Sequence, residues 1–219
     1  MSYYPVFLQM EDRHALVVGG GAVASRKVET LLEYGATVHV VSRDLNQTLR
    51  NLMDDGRIRF LGARFEEKHL EGMFLVIAAT DDAALNHRIS EGARSRGLLI
   101  NAVDQPADCT FIVPSIVKRG DLVIAISTSG KSPAFAKRLR KALEGQYGEA
   151  CGSFLELMGR VRERVLALGL PQKENSRIFQ EIVDADLPEA ISSGRWDEVE
   201  TMLETVLPGE IGIKDLLER

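Results

Sequence analysis

The sequence contains little cysteine and its net charge is small, and both features exclude classes of protein. Its 219 residues include only two cysteines, Cys109 and Cys151, and they form no CxxC motif. This pattern argues against both a disulfide-built secreted fold and a structural zinc site. Lys and Arg number 27 against 32 Asp and Glu, and the formal net charge of −5 argues against a general nucleic-acid binder.

Long apolar runs are missing as well. No stretch approaches the roughly 18 uninterrupted apolar residues of a membrane-spanning helix. Residues 1–12 show no cationic start followed by an apolar stretch, which a secretory signal would need. We therefore expect a folded cytoplasmic protein that does not associate with a membrane, and its length allows one large domain or two small ones.

Short apolar runs alternate with helical patterns from Arg13 to about Val103. The first run, residues 14–18, ends in glycines, and residues 22–34 follow with apolar positions at helical spacing. Further strands are predicted at 37–41, 57–61, 73–79 and 98–102, and further helices at 44–54 and 82–96. Repeated β-α-β units predict a doubly wound parallel sheet of the Rossmann type.

The pattern changes after this region. Two β-like runs, 111–117 and 122–128, flank a segment of turn composition and predict a β-hairpin. Because exposed apolar strands invite pairing, we expect the hairpin to pair with a second copy of the chain in a homodimer. Predicted helices at 134–146, 149–168, 174–185 and 195–206 complete the chain. We divide it into a nucleotide-binding domain (1–110), a segment for dimerisation and substrate binding (111–145) and a small helical domain (146–219).

The first predicted strand leads into a GxGxxA motif at residues 19–24. In such a motif Gly19 permits a tight turn, Gly21 lets the backbone approach a pyrophosphate, and Ala24 allows close helix–sheet packing. The N-terminus of the following helix offers free N–H groups to phosphates. The motif predicts dinucleotide binding, with an ordinary strand-to-helix turn as the alternative.

The end of the second predicted strand bears on which dinucleotide is bound. Asp44 is placed to bind the ribose hydroxyls of NAD, and Arg43 to lie against the adenine. Arg43 is also suited to a 2′-phosphate, so NADP stays open as an alternative. A helix N-cap is a second interpretation of Asp44.

Several kinds of catalytic machinery are missing from the sequence. It has no Tyr-x-x-x-Lys pair, its four histidines are scattered, and we predict no metal site. Asp104 follows the strand predicted at 98–102, where ligands of parallel sheets bind, and a carboxylate there is a candidate general base. The alternative is a turn aspartate shortly before Pro106. Thr80 ends the preceding strand in a similar location, whereas Asp82 is interpreted as a helix cap.

Several motifs together resemble a known family. The segments GGGAVASRK, AATDD followed by Asn86, NAVDQP, FIVPSI and ISTSGKSP occur in the order and spacing of precorrin-2 dehydrogenase. This is the NAD-dependent module of siroheme synthase, which exists alone or fused to a methyltransferase. The resemblance is dense over about residues 1–145 and looser beyond.

The resemblance implies an activity and assigns residues to it. Precorrin-2 would lose a hydride to NAD⁺ and a proton to the medium, giving sirohydrochlorin, and in some members the same site then inserts Fe²⁺. Asp104 matches the family's essential aspartate. Cofactor contacts are implied for Ala22, Val23, Arg43 and Asp44, which join Gly19, Gly21 and Thr80 as candidate cofactor-binding residues.

The substrate site is expected in a polar loop after the hairpin. A tetrapyrrole of this family carries carboxylate side chains, and the loop's N–H donors and lysine are suited to anions. The candidate substrate-binding residues are Ser127, Ser129, Gly130 and Lys131. Two other interpretations are a dinucleotide-sensing regulatory module without turnover and a purely structural homodimer with an empty glycine loop.

Overall fold

The structure is a computed structural model that describes residues 3–185 and 187–217. Its backbone contacts divide the chain into two compact units, with the boundary between Val113 and Pro114. The division into three parts proposed from the sequence stays a prediction.

The first unit, over its described residues, alternates five strands with three helices. The strands are β1 His14–Val18, β2 Thr37–Val41, β3 Ile58–Gly62, β4 Leu75–Ala78 and β5 Leu99–Ala102. The helices are α1 Ala22–Glu33, α2 Gln47–Asp54 and α3 Ala83–Ser95, and short 3-10 turns cover Glu67–Leu70 and Pro106–Asp108. All five strands are parallel, in the order β3-β2-β1-β4-β5, so the predicted doubly wound sheet is confirmed.

Both faces of this sheet are buried, which explains the apolar runs in the sequence. In β1, Ala15 and Val17 belong to one core cluster, whereas Leu16 and Val18 belong to the cluster on the opposite face. Neighbouring strands place their carboxyl ends at one edge of the sheet, and the loops that follow all five strands meet there.

The start of α2 corrects one interpretation. The helix begins at Gln47 rather than residue 44, and its N-cap is Asn46, whose side chain accepts a hydrogen bond from the Leu49 N–H at 3.0 Å. Asp44 is therefore not the cap, because two further residues of turn separate it from the first helical residue. Asp82, in contrast, does cap α3 by accepting a bond from the Leu85 N–H at 3.0 Å.

The second unit begins with the predicted hairpin. β6 Ser115–Arg119 pairs antiparallel with β7 Leu122–Ile126. The first strand starts later than the apolar run and includes Lys118 and Arg119, because only Gly120 and Asp121 are needed for the turn. Among the residues that the structure describes, six helices follow: α4 Pro133–Gln146, α5 Ala150–Ala167, α6 Gln172–Asp184, α7 Leu187–Ser192, α8 Trp196–Val206 and α9 Ile213–Leu217.

The helical part of this unit has its own core, built mainly by α5, α6, α7 and α8, with Val161, Leu187 and Leu203 among its fully buried residues. The short helices α7 and α9 did not appear in the sequence analysis, since neither is long enough for a clear periodic pattern. Within the described ranges, no helix is both long and apolar enough to span a bilayer.

Candidate active site

The glycine loop between β1 and α1 is held tightly against its neighbours. Gly19 has φ 135°, and a Cβ there would lie 2.8 Å from the carbonyl carbon of Ala79 and closer still to its oxygen. Its N–H donates to the Val41 carbonyl at 2.9 Å. Only glycine meets both the backbone and the space requirement, so the loop passes between the ends of β2 and β4.

Gly20 has a steric role that the sequence analysis missed. A Cβ at Gly20 would lie 2.9 Å from the Asp44 carbonyl carbon and would overlap both the Asp44 oxygen and the Ser42 hydroxyl. The Gly20 carbonyl also accepts a hydrogen bond from the Asn46 N–H at 2.9 Å. The middle position of the motif is therefore what brings the turn after β2 onto the glycine loop.

Gly21 differs from both, because a Cβ built on it would have nothing within 4 Å. Gly21 is the N-cap of α1, and the first N–H groups of that helix lack intrahelical acceptors. One turn further on, Ala24 is fully buried against the sheet. The loop thus combines a tightly packed start with an open, donor-rich end, which is the arrangement that a phosphate group requires.

The turn after β2 presents Arg43 and Asp44, both exposed, to the same cleft. The Ser42 hydroxyl donates to the Asp44 carbonyl at 2.7 Å and so stiffens this turn. Arg43 lies 4.0 Å from the Asp81 carboxylate, with both side chains highly exposed. Such a pair contributes little and leaves the guanidinium available to another group.

A buried asparagine fixes the turn after β4. Asn86 is 2% exposed, and its Oδ1 accepts from the Thr80 hydroxyl at 2.7 Å and the Thr80 N–H at 3.3 Å. Its Nδ2 donates to the Thr80 carbonyl at 3.0 Å. One side chain therefore holds Thr80 at three points. Asn86 stood within a motif used for the resemblance, but its structural role had no signal in the sequence.

Asp104 occupies an unusual backbone conformation at the end of β5. The Gln105 N–H closes a turn onto Ala102 at 3.2 Å, and Asp104 within it has φ 60°. A left-handed conformation costs a residue with a side chain roughly 1–2 kcal/mol. The side chain is exposed in the cleft, and among the described residues its carboxylate has no hydrogen-bond or ion-pair partner. This leaves the carboxylate able to accept a proton.

The thiol of Cys109 anchors the segment that follows Asp104. Its Sγ lies 3.2 Å from both the N and the O of Ala102, and 3.4 Å from the Gln105 carbonyl. Burial raises the pKa of this thiol. Cys109 is thus an anchor between β5 and the segment and is poorly suited to act as a nucleophile.

These elements line one open cleft of about 1250 Å³ at the carboxyl edge of the sheet. All seven candidate cofactor residues and the candidate base share it: Gly19, Gly21, Ala22, Val23, Arg43, Asp44, Thr80 and Asp104. Positions from four separate loops of the sequence are therefore brought together in the first unit.

The candidate substrate residues lie in the second unit, in the loop between β7 and α4. The Ser129 N–H donates to the Ser127 hydroxyl at 3.0 Å, and the Lys131 N–H to the Thr128 carbonyl at 3.0 Å. Ser129 and Gly130 both have left-handed backbone conformations, with φ 51° and 79°. The loop therefore has a defined shape that ends at Ser132, the N-cap of α4.

The scattered histidines have individual environments. His39 is buried in β2, 2.9 Å from the His14 ring, and burial lowers its pKa. His69 is buried within the 3-10 turn after β3. His87 contacts Asp108 at 2.8 Å. The sequence analysis gave no indication of Asp108 as the partner of His87.

Comparisons with known proteins show which families the chain is similar to. A family model described as "Putative NAD(P)-binding" matches residues 6–115, and one described as "Sirohaem biosynthesis protein central" matches residues 119–146. The chain is 39% identical over 208 residues to siroheme synthase 1 of Serratia proteamaculans, covering 93% of this chain and 43% of that protein. It is 39% identical over 209 residues to siroheme synthase of Methylobacillus flagellatus, covering 95% of this chain and 45% of that protein.

A solved structure extends the similarity to the fold. SirC, described as a precorrin-2 dehydrogenase, superposes with a TM-score of 0.77 at 26% identity, covering 93% of this chain and 98% of that one. The chain spans less than half the length of the siroheme synthases it matches and nearly all of the SirC chain.

Proposed function

The chain belongs to the family of precorrin-2 dehydrogenases and siroheme synthase N-terminal modules, and we propose that it oxidises precorrin-2 to sirohydrochlorin with NAD⁺. One observation carries the proposal: a single cleft holds both the glycine loop and the unpaired carboxylate of Asp104. A dinucleotide-binding loop and a free base at the same edge of a sheet are the two parts that a dehydrogenation needs.

The residues of the cleft fit a dinucleotide. The space above Gly21 and the free N–H groups of Ala22 and Val23 suit a pyrophosphate, since no side chain fills that position. Gly19 keeps the loop close to Thr80, and Arg43 and Asp44 lie where the adenosine end would be held. When bound, NAD⁺ supplies the hydride acceptor.

NAD⁺ rather than NADP⁺ is favoured by Asp44. A carboxylate at this strand end accepts hydrogen bonds from ribose hydroxyls and repels a 2′-phosphate. Arg43, which is exposed and only loosely paired with Asp81, is free to lie against the adenine.

Asp104 is proposed as the general base. In the reaction one C–H hydrogen of precorrin-2 leaves as hydride and a second hydrogen leaves as a proton, so two electrons and two hydrogens are accounted for. The unpaired carboxylate of Asp104 takes the proton and later releases it to water. Its exposure in the cleft makes both transfers possible.

The loop between β7 and α4 is proposed to hold the carboxylate side chains of the tetrapyrrole. Ser127, Ser129, Gly130 and Lys131 supply hydroxyl, N–H and ammonium donors within one turn. We also propose Fe²⁺ insertion into sirohydrochlorin as a further step, in which Fe²⁺ is a substrate and Asp104 would accept protons from the ring nitrogens.

The chain is also proposed to form a cytoplasmic homodimer. Within the described part of the chain β6 and β7 pair only with each other, so the outer edge of each strand carries unpaired backbone groups. Pairing between two hairpins would cover their edges. Light scattering coupled to gel filtration tests this, and a monomer at micromolar concentration would contradict it.

The experiment that tests the activity is an anaerobic assay with precorrin-2 generated in place, following NADH and sirohydrochlorin together. The wild-type chain is compared with Asp104→Asn, since asparagine tolerates a left-handed backbone and changes mainly the carboxylate. We expect normal NAD⁺ binding and loss of turnover in this variant.

A matched control is available at Asp12, which has φ 57° and lies outside the cleft. Asp12→Asn should retain full turnover. Turnover by Asp104→Asn would remove Asp104 from the mechanism. NAD⁺ binding without any NADH formation by the wild-type chain would favour the sensing module. In a separate step, Fe²⁺ added after dehydrogenation is complete would show whether the chain accelerates metal insertion.

A further inference from the structure

The segment after Asp104 is tied to α3 by side chains that the proposed chemistry does not use. The Ser90 hydroxyl donates to the Asp108 carbonyl at 2.7 Å, and Arg94 donates to the Ala107 carbonyl at 2.6 Å. Ser90 is 1% exposed. Successive turns of one helix therefore hold residues 107 and 108 in place.

A buried carboxylate stands at the centre of these contacts. Asp108 is 8% exposed, its Oδ1 lies 2.8 Å from His87 Nδ1, and its Oδ2 accepts from Gln105 Nε2 at 3.2 Å. Gln105 Nε2 also donates to the Ala83 carbonyl at 3.1 Å. Because burying a carboxylate is costly unless it is paired, the contacts with His87 and Gln105 stabilise Asp108 there, and His87 is the partner that can carry a positive charge.

This network adjoins the candidate base directly. Gln105 follows Asp104, and the turn that contains Asp104 is closed by the Gln105 N–H. A left-handed aspartate persists only where the surrounding structure holds it, and here the side chains of Gln105 and Asp108 provide that support. The carboxylate of Asp104 has no partner of its own among the described residues, so its location depends on the backbone.

We propose that His87 and Asp108 form a positioning pair, which holds the Gln105–Asp108 segment on α3 and thereby keeps the Asp104 carboxylate at the cleft. Neither side chain need touch the substrate. The inference rests on the proposed function only in that it treats Asp104 as the base.

The charges around His87 make the pair sensitive to pH. Asp108 faces the imidazole from the segment, whereas Glu91, 3.8 Å away, and Arg94 belong to its own helix. The hydrogen bond and charge of Asp108 raise the pKa of His87 above its ordinary value of 6.5. Because the pKa of His87 is raised in the folded protein, the stabilising positive charge of its imidazole is fully present below pH 6.5. This charge is lost as the pH rises through the raised pKa.

The test uses the full chain and three variants. His87→Ala removes the donor, His87→Asn places an amide N–H near the position of Nδ1, and Glu91→Gln is the matched control on the same helix. Two measurements are made: steady-state dehydrogenation between pH 6 and 9, and amide hydrogen exchange of residues 103–109. The second does not depend on catalysis.

For His87→Ala we expect kcat to fall by roughly tenfold to a hundredfold, with the Kd for NAD⁺ unchanged and faster exchange in residues 103–109. For the wild type we expect kcat to decline at alkaline pH, as His87 loses its proton. His87→Asn should recover most of kcat and should not show this decline. Glu91→Gln should retain kcat and the exchange rates.

Wild-type kcat and exchange in His87→Ala would overturn the proposal, as would an asparagine variant no better than the alanine one. If the wild-type chain itself forms no NADH, the proposed function fails, and hydrogen exchange alone then decides whether the pair orders the segment.

Discussion

Replacing each of two adjacent glycines with alanine separates the packing of the loop from its contact with a ligand. At Gly20 a Cβ would lie 2.9 Å from the Asp44 carbonyl carbon, and the overlapping neighbour is backbone. At Gly21 a Cβ would meet nothing within 4 Å. The same methyl group is thus added at two neighbouring positions, and only the first requires the protein to move.

The cost of Gly20→Ala follows from this geometry. Overpacking against a side chain costs about 1–3 kcal/mol, and rigid backbone places this site at the upper part of that range, about 2–3 kcal/mol. The hydrogen bond from Asn46 to the Gly20 carbonyl is strained at the same time. At roughly 2–4 °C per kcal/mol for a chain of this size, Tm should fall by roughly 4–12 °C.

Gly21→Ala should behave differently in each measurement. Alanine in place of an N-cap glycine costs a fraction of a kcal/mol to about 1 kcal/mol, so Tm should change by a few degrees at most. If the pyrophosphate occupies the space above Gly21, NAD⁺ affinity should nevertheless fall. Gly21→Asp, which adds a negative charge there, should abolish binding.

Thermal unfolding by circular dichroism and NAD⁺ titration by calorimetry measure the two effects separately. An unchanged Tm for Gly20→Ala would refute the steric argument, because the Asp44 turn would then be free to move. Unchanged NAD⁺ affinity in Gly21→Asp would show that the pyrophosphate does not lie against this glycine.

Three further predictions follow from single side chains. Asn86→Ala should weaken NAD⁺ binding by about tenfold in calorimetry, equivalent to about 1.4 kcal/mol, because the Thr80 turn loses the three hydrogen bonds that hold it at the cleft. Wild-type affinity would contradict this. Asp44→Ala should raise the Kd for NAD⁺ more than that for NADP⁺, and an equal change in both would remove Asp44 from cofactor selection. In a Cys151→Ser chain, alkylation of Cys109 followed by mass spectrometry should be slow at pH 7 and should accelerate as the pH rises. Burial raises the pKa of this thiol, and only the thiolate reacts. Rapid labelling at neutral pH would refute the anchoring role.

The sequence by itself determined the alternation of strands and helices in the first unit and the location of its glycine loop. Apolar residues repeat with the period of each local element, so β1, α1 and the strands after them could be predicted to within a few residues. The position of Asp104 after the strand predicted at 98–102 marked it as a candidate base, and the family motifs supported that interpretation. The roles of Asp104 and of the candidate cofactor residues are proposals. Helix starts were less certain, as Asp44 and Asn46 show, because neighbouring polar residues are equally good caps by composition.

Only the tertiary structure decided which residues support the site. At Gly20 the backbone of Asp44 leaves no room for a side chain. The hydrogen-bond partner of His87 is Asp108, 21 residues away in the chain. Likewise the order β3-β2-β1-β4-β5 is what brings the loops after all five strands to one cleft. Contacts of this kind join residues that are far apart in the chain, and they leave no periodic pattern in the sequence. The distances that they depend on are set only once the sheet has formed.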